Sequence, residues 1–256
     1  MLKPHRPYIG ITGFTNEYQV KTVCNVLPTD SYRMLMVGVL VSSKTMRGEQ
    51  NKWPNRYPKP EFLNQIFQPF PNTLNLVHFN TKEPEMLYDH LNRIREMVGP
   101  NCHGFQLNMA WPDPDTLAVF AIQARKTIFV LQVGNRVFEM IDNSPKKLAE
   151  RVANYKDLID YVLLDPSGGL GIPMITEEMK AYLGALKEKD LDIGLGVAGG
   201  LGPGKSHLIE PLVREHPDLS IDVEKNVRDQ HDMLDLELSK KYITEHSELL
   251  NQNRAQ

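Results

Sequence analysis

The sequence predicts a single (β/α)8 barrel that spans residues 1–256. Strand-like and helix-like segments alternate in eight units at fairly even spacing, which is typical of repeating βα units. An open doubly wound sheet usually stops at about five or six strands. The length of 256 residues fits a closed barrel, which typically needs about 250. These observations together favour the closed barrel over an open sheet.

The composition excludes several classes of protein. Hydrophobic residues make up 41% and charged residues 24% of the chain, as in ordinary globular proteins. A net charge of −3 provides no broad basic surface for nucleic acid. No apolar run approaches the ~20 residues of a membrane span, and the N-terminus lacks the apolar segment of a signal peptide. We therefore expect no nucleic-acid or membrane partner and a cytoplasmic location.

The two cysteines, Cys24 and Cys102, are too few for a disulfide framework or a zinc site. No other constellation of metal ligands is evident, so we expect neither a metal site nor a cofactor. Cys24 falls in the first predicted helix and Cys102 precedes the fourth strand. Both positions lie away from the barrel face that carries chemistry.

The eight predicted strands are short apolar segments. The second is apolar almost throughout, as expected for a parallel strand that is covered on both faces. The strands are predicted at 8–12, 34–41, 74–79, 103–109, 127–133, 160–165, 193–198 and 219–223.

The predicted helices follow the strands. Asn16 can cap the first, and Ser144 with Pro145 begins another. Apolar residues repeat at helical spacing between 84 and 98. The helices are predicted at about 17–26, 61–67, 84–98, 115–124, 145–158, 176–187, from about 204 onward, and 231–250, with a frayed tail at 251–256.

A polar, proline-rich loop at 42–60 separates the second strand from the next helix. It carries Trp53 and Tyr57 and is longer than packing requires. Loops of this length are often lids or binding loops.

Four glycines follow the seventh strand, at Gly199, Gly200, Gly202 and Gly204, and Lys205 comes directly after them. Glycines between a strand and a helix let backbone N–H groups approach an anion, and a helix N-terminus adds a partial positive charge. In a (β/α)8 barrel, phosphate commonly binds at the loops after strands seven and eight. This stretch therefore predicts a phosphate site.

The same residues also fit the loop that holds nucleotide triphosphates, since 199–206 matches G-x-x-x-x-G-K-[ST]. A nucleotide-binding domain of that kind needs further parallel strands after the loop. About 50 residues remain here, enough for one strand and one long helix. The nucleotide hydrolase is kept as a remote alternative.

Several short motifs occur in the order of one known barrel family. They are ITGFTN at 11–16, VGVL at 37–40 with Arg47, FQLN at 105–108, LLD at 163–165 with Gly168, Gly169 and Gly171, AGGL at 198–201, and IDV at 221–223. In strand order and spacing the chain resembles the phosphoribosylanthranilate isomerase family. The last three motifs together are the specific part of this resemblance.

The resemblance implies an Amadori rearrangement of a sugar phosphate, in which an acid protonates the ring oxygen and a base removes the C2 proton. It implies Asp165 as the acid and places Thr12 at the position of the base. Arg47 corresponds to the arginine that contacts the anthranilate carboxylate. Gln106, Asn108 and Asp222 occupy further substrate-binding positions. The glycines of the two loops and Lys205 would bind phosphate.

The chain departs from the family pattern at three places. Thr12 replaces the family's cysteine, and an alcohol is a far poorer base than a thiolate. Asn108 replaces a histidine, and Glu224-Lys225-Asn226 replaces a small Ser-Ser-Gly turn. Glu224 would oppose an anion there unless it turns away, and Lys225 could compensate. Two hypotheses follow: an isomerase-like enzyme, or a barrel that binds a phosphorylated metabolite without catalysis.

Each candidate also has a purely structural interpretation. Asp165 could be a turn residue before Pro166, and Asp222 a buried structural carboxylate. Arg47 could be a solvated loop charge. We interpret His78 and His103, which lie on or beside strands, as core or rim histidines rather than bases. A small phosphorylated molecule is the expected partner, and a homodimer is possible.

Overall fold

The computed structural model describes residues 5–124 and 126–254. Eight parallel strands close into a barrel in sequence order, and β8 pairs with β1. The fold is therefore the predicted (β/α)8 barrel. The strands are β1 Tyr8–Thr12, β2 Met34–Ser42, β3 Thr73–Asn80, β4 Gly104–Leu107, β5 Ile128–Gly134, β6 Tyr161–Asp165, β7 Gly194–Ala198 and β8 Ser220–Val223.

The helices cover the outside of the barrel, where a continuous apolar cluster packs between them and the strands. They are α1 Glu17–Cys24, α2 Ser43–Met46, α3 Leu63–Ile66, α4 Leu87–Val98, α5 Pro114–Gln123, α6 Asn135–Met140, α7 Pro145–Val152, α8 Thr176–Glu188, α9 Glu210–Glu215 and α10 Leu236–Arg254. Within the described residues, no helix is both long enough and apolar enough to cross a membrane.

Several helix boundaries differ from the prediction. The helix expected at 61–67 is a 3-10 turn, Pro60–Phe62, followed by one turn of α3, because prolines flank the segment. The short helix α6 was not predicted. The last helix begins at Leu236 rather than near 231, since the Asp235 carboxylate accepts from the N–H groups of Glu237 and Leu238. It continues to Arg254, so 251–254, expected to be frayed, are helical; 255–256 lie outside the described residues.

The interior of the barrel has two parts. Toward the amino ends of the strands it is filled by large, mostly apolar side chains, among them Tyr8, Met36, Leu76 and Leu163. Toward the carboxyl ends the inward side chains are polar. Successive residues of a strand point to opposite faces, so His78 lies two residues beyond Leu76 and points the same way. Polar groups are therefore concentrated at the end of the barrel where active sites lie in this fold.

Candidate active site

Six buried polar side chains converge at the carboxyl ends of the strands. Each belongs to a different strand, and each strand is otherwise mostly apolar. The six residues are Thr12, His78, Gln106, Gln132, Asp165 and Asp222. Because they come from β1, β3, β4, β5, β6 and β8, the closed sheet itself holds them together.

Hydrogen bonds link five of the six residues, as two pairs that are joined through Gln106. The Thr12 hydroxyl donates to Asp222, with Oγ1 3.0 Å from Oδ2. The Gln132 amide donates to Asp165, with Nε2 2.8 Å from Oδ2. Gln106 Nε2 joins the groups, since it donates to Gln132 Oε1 at 3.1 Å and lies 3.5 Å from Asp222 Oδ2. The arrangement spans the barrel mouth from β1 to β6.

The two aspartates differ in how they are held. Burial raises the pKa of Asp165, but hydrogen bonds from the Ser167 backbone and hydroxyl to Oδ1, at 3.0 and 2.7 Å, act in the opposite direction. Burial raises the pKa of Asp222 to about 8, against the Thr12 hydrogen bond and together with the charges of Glu224 and Asp165. Asp222, with a pKa of about 8, therefore keeps a proton near neutral pH, whereas the sequence resemblance assigned the acid to Asp165, whose pKa is raised as well.

The glycine loop after β7 leaves backbone amides free. Within the described residues, the N–H groups of Gly199, Gly200 and Leu201 donate to no protein acceptor. Their carbonyls are engaged instead: Asn226 Nδ2 lies 2.9 Å from the oxygens of both Gly200 and Leu201. Gly200 has a φ of +69°, and a Cβ there would overlap the backbone of Pro173. Only glycine fits this position, and the three residues line the cavity at the barrel mouth.

A second glycine-containing loop, after β6, packs against the first. The Met174 N–H donates to the Gly199 carbonyl at 3.2 Å. Gly169 and Gly171 line the cavity together with Lys225 and Asn226, whereas Gly168 is exposed and does not. The two loops and the turn after β8 thus surround one small space.

The long loop at 42–60 reaches the rim of this space through Arg56. The Arg56 side chain, only 3% exposed, lies 2.6 Å from Glu224 and 2.7 Å from Asp232. Its Nη1 also donates to the Gly169 carbonyl at 3.1 Å. The cavity has a volume of about 20 Å³, which suffices for about one water molecule. A larger ligand therefore requires the loops around it to move apart.

Other predicted site residues lie elsewhere. Arg47 is 43% exposed and pairs with Glu49 at 2.8 Å and Glu83 at 3.4 Å, and it does not line the cavity. Asn108, Gly202 and Lys205 also do not line it. Lys225, expected to offset Glu224, instead pairs with Asp232 at 2.9 Å, and Arg56 faces Glu224.

The helix expected from about 204 does not begin there. Its place is taken by a 3-10 turn, Ser206–Leu208, and the six-residue α9. The Gly204 N–H donates to the Glu245 carboxylate at 2.6 Å and faces no ligand site. The closed barrel and the short α9 contradict the nucleotide-hydrolase alternative, because that loop requires a long helix beginning at its lysine.

The sequence interpretation missed His78, Gln132, Ser167, Arg56 and Asn226. One signal was available for two of them: His78 and Gln132 are polar residues near the carboxyl ends of otherwise apolar strands, like Gln106, Asp165 and Asp222. The interpretation of His78 as a core or rim histidine agrees with its burial, but its hydrogen bonds are not satisfied within the described residues. Its side chain is buried, it lines the cavity, and neither ring nitrogen has a hydrogen-bond partner among the described residues.

Neither cysteine supplies the missing thiolate. Burial raises the pKa of Cys24 to about 12 and that of Cys102 to about 12, and neither residue lines the cavity. Within 5–124 and 126–253, no three His, Cys, Asp or Glu side chains are grouped to hold a metal ion.

Comparisons with known proteins agree on the architecture. The sequence matches no protein-family model, and no curated protein sequence matches it. Among solved structures, phosphoribosyl anthranilate isomerase from Thermus thermophilus is similar with a TM-score of 0.62 and 15% identity, covering 96% of this chain and 98% of the other. The enzyme from Thermotoga maritima gives a TM-score of 0.60 and 19% identity, covering 94% and 99%.

The likeness extends to a barrel with another activity. Orotidine 5′-monophosphate decarboxylase from Methanocaldococcus jannaschii gives a TM-score of 0.51 and 12% identity, covering 94% of this chain and 98% of the other. At such identities the likeness concerns the fold alone. The chain is a (β/α)8 barrel whose fold is like that of phosphoribosylanthranilate isomerases.

Proposed function

We propose that the chain binds a phosphorylated sugar-type ligand at the barrel mouth and catalyses an acid/base isomerisation of it. The phosphate would bind at the glycine loop after β7. One observation carries the proposal: Gly199, Gly200 and Leu201, whose N–H groups have no acceptor among the described residues, line the same small cavity as two buried carboxyl groups, Asp165 and Asp222.

Backbone amides are well suited to phosphate because their donors are fixed and add no competing negative charge. Asn226 fixes the carbonyl side of this loop, so the amides keep their direction without ligand. The unfavourable feature is Glu224, whose carboxylate also lines the cavity. We propose that ligand entry draws Arg56 and Glu224 outward together as an ion pair, with Lys225 left beside the phosphate.

The two aspartates divide the chemistry between them. Asp222 keeps a proton near neutral pH and is the better donor to a ring oxygen. Asp165 accepts hydrogen bonds from Gln132 and Ser167, which favour its ionised form. An ionised Asp165 would stabilise positive charge on a ring-opened iminium. This reverses part of the assignment that the resemblance implies.

The side chains at the barrel mouth limit the class of substrate. A phosphoribosyl anthranilate isomerase with a similar fold has been solved with reduced 1-(o-carboxyphenylamino)-1-deoxyribulose 5-phosphate. In this chain, however, Arg47 is paired with acidic residues on the surface. Arg47 therefore provides no contact for an aromatic carboxylate inside the mouth. We therefore propose a phosphorylated sugar or its amine adduct as the substrate class, of which phosphoribosylanthranilate is one member.

A second candidate is a barrel that binds a phosphorylated metabolite without turnover. It is favoured by Thr12, whose hydroxyl donates to Asp222 and does not serve as a base. Turnover of phosphoribosylanthranilate, or complementation of a tryptophan auxotroph, would support the enzyme. Tight binding of ribose 5-phosphate with no turnover of amine adducts of phosphorylated sugars would support the second candidate.

The binding proposal is tested by calorimetry with inorganic phosphate and ribose 5-phosphate. We expect both to bind, and Glu224→Gln to bind phosphate about tenfold more tightly, or roughly 1.4 kcal/mol, because a nearby negative charge is removed. Glu83→Gln is the matched control, since Glu83 lies outside the cavity. Absence of binding by both the wild type and Glu224→Gln would contradict the phosphate site.

A further inference from the structure

His78 is the one member of the polar group at the mouth that the hydrogen-bond network leaves out. It is 4% exposed, and neither Nδ1 nor Nε2 has a partner within the described ranges. Burying an imidazole without partners costs free energy. A polar side chain aimed into a cavity in this way is suited to a ligand that supplies the missing hydrogen bonds.

Gln106, the register partner of His78 on β4, also has an unpaired atom, since its Oε1 accepts from no donor among the described residues. Of the two side chains, His78 lines the cavity and Gln106 does not. The group offered to a ligand is therefore the imidazole, which when neutral has one donor and one acceptor. That pair matches a hydroxyl group and the adjoining C–H group of a sugar.

The position of His78 relative to the glycine loop is also informative. In a barrel of eight strands, β3 and β7 are four strands apart and hence opposite each other. A sugar whose phosphate lies against the loop after β7 would extend across the mouth toward β3. Its carbons farthest from the phosphate, C1 and C2, would then lie nearest His78.

We propose that His78 is a catalytic residue of this barrel: it contacts the sugar at C2 and removes the C2 proton, the role for which the chain has no cysteine. The inference rests on the proposed function, since it requires a phosphorylated sugar in the mouth. It deepens that function by naming the base.

The proposed step balances without a further reactant. After ring opening the substrate has a C1–N iminium. His78 takes the proton from C2, and the C–H electron pair forms a double bond between C1 and C2. The former C1–N π electrons become a lone pair on nitrogen. The proton on the imidazolium returns to C1, and the enol O–H proton at C2 goes to the Asp222 carboxylate, which gave its own proton to the ring oxygen. C2 thereby becomes a ketone, both residues regain their starting protonation, and the net change is an isomerisation.

The other groups at the mouth are less suited to this role. Thr12 is an alcohol and already donates to Asp222. Asp222 carries a proton near neutral pH, and Asp165 accepts three hydrogen bonds. Burial lowers the pKa of His78 to about 4, so the ring is neutral and able to accept, while the charge of Asp165 acts to stabilise the imidazolium.

The contact is tested by nuclear magnetic resonance of the ¹⁵N-labelled protein. We expect ribose 5-phosphate to shift both the amide signals of Gly199 and Gly200 and the ring-nitrogen signals of His78. Inorganic phosphate should shift the amides alone. Ribose 5-phosphate that moves the amides but leaves His78 unchanged would overturn the proposal. If the amides respond to neither compound, the proposed function fails first, and the role of His78 fails with it.

The catalytic role is tested with His78→Gln and His78→Asn in the full chain, with phosphoribosylanthranilate as substrate. We expect turnover to fall about 100- to 1000-fold, with loss of deuterium exchange at C2 and an unchanged dissociation constant for inorganic phosphate. Unchanged phosphate binding also shows that a variant is folded. His90→Gln is the control, because His90 also has an unpaired Nδ1 but lies on α4 outside the cavity.

Two results would overturn the catalytic role. One is turnover by both His78 variants at the wild-type rate. The other is a His78 ring response to ribose 5-phosphate in a wild-type protein that turns over no phosphoribosylanthranilate; this would reduce His78 to a ligand contact.

Discussion

The two sides of the barrel mouth are built from different parts of the chain. One side consists of the loops after β6 and β7, whose surface is mainly backbone: amides of glycine loops, fixed by Asn226 and Met174. The other side consists of the strand ends beside these loops, which present side chains such as His78, Asp165 and Asp222. The first side suits an anion of fixed geometry, and the second determines which molecule carries that anion. Because of this difference, we expect that substitutions can alter phosphate binding and catalysis separately.

The largest expected effect is a loss of turnover without a matching loss of phosphate binding. Asp165→Asn keeps the shape of the side chain but removes its charge. We expect turnover of phosphoribosylanthranilate to fall about 1000-fold, because the iminium loses its counter-charge. Binding of inorganic phosphate should change little. Equal loss of binding and turnover would show that the two sides of the mouth are not independent.

The next effect concerns the long loop at 42–60, and the chain provides its own control. Arg56 and Arg47 belong to the same loop, and each pairs with two acidic residues. Arg56 is buried, so Arg56→Ala leaves Glu224 without its partner and should lower the free energy of unfolding by about 3 kcal/mol. Arg47→Ala should lower it much less, because ion pairs at the exposed surface contribute little. Urea unfolding of both variants checks the difference, and similar losses would contradict it.

The third effect, the smallest when counted per pH unit, is a pH dependence of the free energy of unfolding. A folded-state pKa of about 8 for Asp222 lies above the ordinary value of 3.8, so the folded state keeps a proton that the unfolded chain loses. Stability from this group is fully present below about pH 4 and is lost as the pH rises to about 8, by at most about 1.4 kcal/mol per pH unit. Asp222→Asn should therefore gain stability relative to the wild type over this range.

The measurement is urea unfolding of the wild type and Asp222→Asn at several pH values between 5 and 9. Asparagine can still accept from Thr12, so the variant changes the charge more than the packing. Parallel pH profiles for the two proteins would show that Asp222 titrates normally.

The backbone side of the mouth could be predicted from the sequence, and much of the side-chain side could not. Gly199 and Gly200 mark their loop because few other residues fit there. Asp165 and Asp222 stand out as charges at the ends of apolar strands. His78 and Arg56 do not, because the importance of each depends on what the closed barrel leaves unpaired or buried. The assignment of Arg47 to the site came from the family resemblance, but the structure places its side chain in ion pairs at the surface.

The prediction of helix boundaries failed for a related reason. Apolar spacing indicated a helix from about 204, but the Gly204 N–H is taken by Glu245 of α10, far along the chain. A side chain from a distant helix cannot be foreseen from local spacing. The strands were easier to predict, because a run of buried residues is a local property.

The small volume of the cavity has a kinetic consequence for the proposed ligand. Because about 20 Å³ holds roughly one water molecule, a sugar phosphate would enter only after the loops around the mouth had moved apart. We therefore expect the association rate to be set by the protein's own motion, and the bound molecule to be shielded from bulk water.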